Sequence, residues 1–209
     1  MGKINQGILG AVSGTVGNVV GGSWKGINYL RVKAQHFQDA KTEGQVGQRA
    51  KFGACVALAK SLLDSIIRPI WDKKAKKMSG YNLFVKTNIG QFDENGEIID
   101  FTKLKIAIGD LPEIKNLTVA NDEQEDGGIM LSWDDNSSIN GAAPSDELCI
   151  LAYCEGEIAI LDSIEAVRTD GMAQVTLPFG TGVDVHVYAF FENEAKTSFS
   201  NDKYAFVQV

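Results

Sequence analysis

Two histidines, three cysteines and two acid-rich loops are the places where this sequence could do chemistry. His186 lies between Val185 and Val187 in a strand-like run, so it points to the opposite face from them. That makes it an expected solvent-facing or edge residue rather than a general base. His36 falls in a connecting stretch, no Ser occupies a nucleophile elbow, and Cys55, Cys149 and Cys154 have no histidine close in sequence. Cys/His spacing of the kind that holds zinc is absent. Oxygen ligands are richer: "NDEQEDGG" and "WDDNSS" gather carboxylates and amides, and Asp134, Asp135 and Asn136 are weak calcium candidates. The ligand order of an EF-hand is missing, so turn and surface chemistry is the ordinary expectation for both loops. The opening "GILGAVSGTVGNVVGGSWKG" suggests a phosphate loop, but Lys25 is followed by Gly26 instead of Ser or Thr opening a helix. No catalytic residue and no cofactor is assigned, and a non-enzymatic protein is expected.

Charge is sorted along the chain. Residues 1–92 hold 14 Lys/Arg against 4 Asp/Glu, and residues 93–209 hold 6 against 23, which makes +10 and −17. Sorting of this kind suits copies that meet basic half to acidic half, a protein partner, or an acidic partner for the basic half alone. Cys149 and Cys154 are five apart on one expected strand and so face opposite sides, unable to pair locally. Three buried, reduced thiols are expected, as in a reducing compartment. Neither a signal-peptide core nor an apolar run long enough to span a bilayer is recognised. A cytoplasmic place, or one inside a larger assembly, follows as the expectation.

The elements that must position these residues change type along the chain. Residues 12–24 read as one glycine-rich strand and 27–34 as its partner, a hairpin whose glycines admit a close backbone approach. From Thr42, Val46, Ala50, Ala54, Ala57, Leu58, Leu62 and Ile66 recur at helical spacing until Pro69 interrupts. "DKKAKK" is a second helical piece, Ser79 caps a third, and "IIDFTKLKIAIG" reads as a strand. Beyond Pro112 come seven short runs bounded by turn residues, from "IKNLTVAN" to "KYAFVQV". The expectation is an α+β chain: a basic hairpin-plus-helix domain over 1–110, then an acidic β-sandwich of immunoglobulin type over 111–209 that folds alone.

Within that second half, "IMLSWDD", "VTLPFGTGVDVHVYAFF" and "TSFSNDKYAFVQV" resemble a fibronectin type III module. The resemblance implies a core Trp133 on the second strand, a Leu177-Pro178 turn before the sixth, and an inward-packing Tyr188. The Tyr that usually opens the sixth strand is absent. Nearly the whole chain also resembles a poorly characterised bacterial family of unknown function, on "GKINQGILGAVSGTVGNVVGGSWKG", "TEGQVGQRAKF", "LSWDDNS" and "VHVYAFF".

These readings converge on a structural or assembly protein that self-associates or docks to a protein, such as a phage-virion or cell-surface array component. The interaction residues expected are Gly14, Gly17, Trp24, Lys25, Tyr29, Arg31, Lys33, Arg49 and Lys51. The alternative is nucleic-acid association through the same basic half, with Lys73 to Lys77 added and Trp24 and Tyr29 available for stacking.

Overall fold

A computed structural model describes residues 3–4, 11–24, 26–34, 39–161 and 164–209. Lys25, His36 and the glycines at positions 7 and 10 lie outside the described residues. The architecture is mixed α+β, with antiparallel sheets; along the chain the helices follow the strands of the first sheet and precede those of the others. The chain divides into two compact units, Met1–Thr42 and Glu43–Val209.

The first unit is a four-stranded sheet in sequence order: β1 (Lys3–Ile4), β2 (Val12–Val16), β3 (Val19–Trp24) and β4 (Ile27–Val32). The single strand expected over 12–24 is therefore two. Gly17-Asn18 reverses the chain in two residues, and the φ of 57° at Gly17 is the left-handed geometry that so tight a turn requires. Gly14 pairs with Gly21 across β2 and β3. A Cβ at Gly21 would stand 2.1 Å from the Val12 carbonyl oxygen, so the close backbone approach expected of this segment centres on Gly21.

The second unit begins with α1 (Glu43–Ser61) and continues through a π-helical segment, Leu63–Trp71, before α2 (Asp72–Lys74) and α3 (Gly80–Asn88). Pro69 does not stop the helix. The chain widens instead: the Leu62 carbonyl accepts from both Ile66 and Ile67, at 3.0 and 2.9 Å. A π register relaxes the clash between a proline ring and the carbonyl one turn back. Ser79 caps α3 as expected, its hydroxyl accepting from the Asn82 amide.

"IIDFTKLKIAIG" is not a strand. After a turn of 3-10 helix at Phe101–Lys103 it runs as an extended strap that buries Leu104, Ile106 and Ala107. Side chains take the place of a ladder partner: Asp202 accepts from the Ile106 and Ala107 amides, Asn88 from Lys105 and Asn201 from Gly109. This leaves no obligation for a neighbouring strand.

The seven strands expected beyond Pro112 are all present: β5 (Lys115–Asn121), β6 (Gly128–Asp134), β7 (Glu147–Cys154), β8 (Glu157–Leu161), β9 (Met172–Thr176), β10 (Asp184–Glu192) and β11 (Lys203–Gln208). They form two sheets, in the orders β5-β6-β9 and β11-β10-β7-β8. One core lies between the sheets and includes Ile129, Leu131, Trp133, Ile150, Val187 and Phe191. A second core lies on the other side of β7 and β10, where Cys149, Leu151, Tyr188 and Phe190 meet Leu62, Ile67, Trp71, Phe84 and Ile106. Cys149 and Cys154 face opposite sides, one in each core, as their spacing implied. Tyr188 is fully buried, but in the helix-covered core; the aromatic that meets Trp133 is Phe191, edge-on at 6.0 Å between ring centres. The division between compact units accordingly falls at Thr42/Glu43 and not at 110/111, because the helices and strap complete the outer face of a sheet whose strands come later in the chain.

Candidate interaction surface

Cross-strand register decides which residues of the first unit share a face. Trp24 pairs with Ile27, Gly22 with Tyr29 and Val20 with Arg31, so Trp24, Ile27, Tyr29 and Arg31 stand on one side of the sheet. Val19 pairs with Val32 and Gly21 with Leu30, and the Val16–Val19 pairing adds Val16 to this second, more apolar side. Every residue of β4 is exposed. Leu30 is 62% and Val32 75% exposed on one face, Trp24 64% and Ile27 67% on the other. Tyr29 lies across Gly22, whose missing Cβ leaves room for the ring. Among the described residues β4 pairs with β3 alone and so is an edge strand, with Arg31 on it and Lys33 just beyond it as cations.

A model of the family of unknown function DUF6266 matches residues 11–205. The chain belongs to that family. No curated protein matches it.

Of the interaction residues expected in this DUF6266 chain, Trp24, Tyr29, Arg31 and Lys33 are exposed on or beside the sheet, and Gly14 and Gly17 shape its turn end. Lys25 lies outside the described residues. Arg49 and Lys51 are in α1, in the second unit. The lysine run is partly consumed within that unit: Lys73 donates to the carbonyls of Lys196 and Thr197 and stands 4.9 Å over the Phe199 ring, and Lys74 pairs with Asp110. The basic and acidic stretches of sequence thus meet inside one unit.

Asp134, Asp135 and Asn136 part company. Asp134 takes the Asn116 amide and the Lys115 ammonium, Asp135 accepts from the Ser137 amide, and Asn136 turns inward to Arg168 and Glu113. Among the described residues, no cluster of three or more His, Cys, Asp or Glu side chains is placed to hold a metal ion. No helix among them is long and apolar enough to cross a membrane. The cysteines are buried, and burial pushes the Cys55 thiol up to about 11, far from the thiolate a nucleophile needs.

His186 is not an edge residue. Its ring stacks on Phe101 at 3.5 Å and 6° between planes, and its Nδ1 lies 2.9 Å from the Tyr204 hydroxyl. Burial lowers its pKa from the ordinary 6.5, with the Asp184 carboxylate opposing. The unfolded chain therefore takes up the proton first as pH falls. The stability held by neutral His186 is full above the ordinary value and is lost as pH drops through the lowered one. Titration of the His186 ring Cε1 proton by NMR should give a midpoint below 6.5, with thermal stability falling over the same interval; a midpoint at or above 6.5 contradicts the burial argument.

One cluster had no sequence signal. Arg168, fully buried at the head of a 3-10 turn, donates through Nε to Asp146 at 3.0 Å, through one terminal nitrogen to Asn136 at 2.6 Å and through the other to the Pro112 carbonyl at 3.1 Å. Its guanidinium lies 4.1 Å over the Phe191 ring, and its own carbonyl accepts from the Trp133 indole at 2.9 Å. With all three guanidinium nitrogens donating into the protein, this is an organising node of the sheet ends.

Proposed function

We propose that this protein is a non-enzymatic assembly component whose first unit docks onto a second copy of the chain. The observation that carries the reading is the exposed four-stranded sheet: large apolar side chains stand out on both faces, and β4 offers an open edge. Soluble monomers rarely keep such patches or leave such edges without a device to block them. The sorted charge supports the same reading as a steering term, weaker than its totals suggest because Lys73 and Lys74 are engaged internally. A head-to-tail contact of this kind generates rings or filaments, the geometry of a virion part or a surface array.

We also read the two sheets of residues 111–209 as a fibronectin type III-like sandwich. The sheet orders β5-β6-β9 and β11-β10-β7-β8, the buried Trp133 on the second of these strands and Leu177-Pro178 before the sixth support it. Modules of that kind serve binding more often than catalysis.

Light scattering coupled to size exclusion tests the assembly. The full chain should run above monomer mass, and Leu30→Lys with Val32→Lys, which puts two cations on the apolar face of β4, should bring it down to monomer. Raising salt shortens the Debye length from about 10 Å at 0.1 M to about 3 Å at 1 M, so the charge-steered part should weaken, as it should in Arg49→Glu/Lys51→Glu. A wild-type monomer at every salt concentration defeats the reading. Unchanged mass in Arg49→Glu/Lys51→Glu, with loss of a salt-sensitive gel shift, would assign the basic half to nucleic acid instead.

A further inference from the structure

Backbone phase decides which groups of β4 face its open side. Lys33 donates its amide to the Asn18 carbonyl at 2.7 Å, and at the other end Trp24 pairs with Ile27 beside the turn. In an antiparallel pair, residues that bond to the partner strand alternate with residues that do not. Ile27, Tyr29, Arg31 and Lys33 therefore bond inward to β3, and the N–H and C=O groups of Asn28, Leu30 and Val32 point away from it. Among the described residues no strand takes them up.

The outward residues are evenly spaced about Leu30, so the edge is complementary to itself. A two-fold axis through Leu30, perpendicular to the sheet, sets Leu30 opposite its own copy and Asn28 opposite Val32 of the second copy. Every outward N–H and C=O then finds a partner. The side chains agree with this register. On the apolar face Leu30 meets Leu30 with Val32 beside it, and both are exposed in the single chain. On the other face Arg31 comes opposite Tyr29 of the second copy, an aromatic neighbour for a cation, and Lys33 comes opposite Ile27. Neighbouring registers are worse. Centred on Arg31, the axis would set that guanidinium against its own copy, and like charges directly opposite are destabilising. Centred on Tyr29, it would hand Val32 to Gly26, whose φ of 83° belongs to the turn rather than to a strand.

The geometry points to a symmetric pairing in which β4 runs antiparallel to β4 of a second copy, centred on Leu30, and joins two four-stranded sheets into one. Cations on an edge ordinarily guard it against such pairing, and this register is the one that keeps each of them away from its own copy. The pairing rests on the assembly reading above and fixes the surface that it uses. It is isologous and closes on two chains, which leaves the sorted charge to a separate head-to-tail contact.

Disulfide trapping in the full chain reads the register. The native cysteines are buried, so single cysteines placed on β4 report alone. Bonded residues opposite one another on antiparallel strands stand about 5.5 Å apart between Cα atoms, within disulfide reach. Under mild oxidation Leu30→Cys should therefore give a covalent dimer, doubling the mass on a denaturing gel. Asn28→Cys alone and Val32→Cys alone should stay at single-chain mass, because each stands opposite the other position and the two are about 13 Å apart along a strand. An equimolar mixture of those two should cross-link. All three positions are exposed, so the substitutions spare the fold. If the wild-type chain runs above monomer mass but Leu30→Cys is not trapped, the assembly stands and the β4 pairing is overturned. Trapping of Asn28→Cys or Val32→Cys alone as readily as Leu30→Cys overturns the register. A wild-type chain that is monomeric throughout defeats the assembly reading and the pairing with it, and leaves the edge to a strand of another protein.

Discussion

Asp146→Ala should destabilise the second unit by about 3–5 kcal/mol, because it strands the fully buried Arg168 guanidinium without its counter-charge. Burial already pulls the Arg168 pKa down, with Asp146 opposing. The same carboxylate also accepts from the Ala143 amide at 2.9 Å, so the substitution opens a turn as well as a pair. For a unit of this size each kcal/mol corresponds to roughly 2–4 °C, and the melting temperature should fall by roughly 6–20 °C. The double variant Asp146→Ala/Arg168→Met should regain part of that loss, since it removes the uncompensated charge while keeping apolar bulk over Phe191. Thermal melts of the single and double variants measure both. Additive losses would mean that the pair is not the source of the stability.

How much of this was legible follows from what alternation encodes. β6 runs Gly-Ile-Met-Leu-Ser-Trp-Asp with Met130, Ser132 and Asp134 exposed between Ile129, Leu131 and Trp133, so its one-sided burial is written in the sequence. β7 and β10 are different: "ELCILAYC" and "DVHVYAFFE" are apolar almost throughout, and nearly every residue is buried. A near-continuous apolar strand is the mark of a sheet covered on both faces, and that signal announced the second core. Taken for strand alone, the same run implies an inward-packing Tyr188 and a domain boundary at 110/111. The Gly17-Asn18 turn was hidden by valines on both sides of it, and the π segment by the ordinary expectation that Pro69 ends a helix. The strap over 104–109 has strand-like residues, yet its amides bond to Asn88, Asn201 and Asp202, partners that local pattern cannot reveal. Arg168 in "AVRTDG" looks like any turn arginine. Of the site, the exposed aromatic and basic residues of the first unit were legible because strand alternation fixes their face; the Arg168 node was not, since its partners Asp146, Asn136 and Pro112 lie 22, 32 and 56 positions away.

Residues 111–209 expressed alone should fail to give a soluble cooperative fold, while 43–209 should melt as one transition. The shorter fragment contains all seven strands and the whole core around Trp133. What it lacks is the cover on the other side of β7 and β10. Leu151, Tyr188 and Phe190, each no more than 3% exposed in the full chain, would face water together with Cys149 and Phe199. Returning even three large side chains to water forfeits about 1.5–3 kcal/mol each, a large share of a net stability of 5–15 kcal/mol. The polar accounting worsens in step. Asp202, 5% exposed and held with a pKa above the ordinary carboxylate value by its burial, would lose the Ile106 and Ala107 amides that it accepts from, and the Tyr188 hydroxyl would lose the Phe101 carbonyl. An open apolar sheet face of this kind also invites association between fragments. Tryptophan fluorescence and light scattering during melting separate the outcomes, because the short fragment keeps only Trp133 as reporter. A sharp reversible transition of a monomeric 111–209 would show that the inter-sheet core suffices, and that α1, the π segment and the strap are docked upon a module already folded.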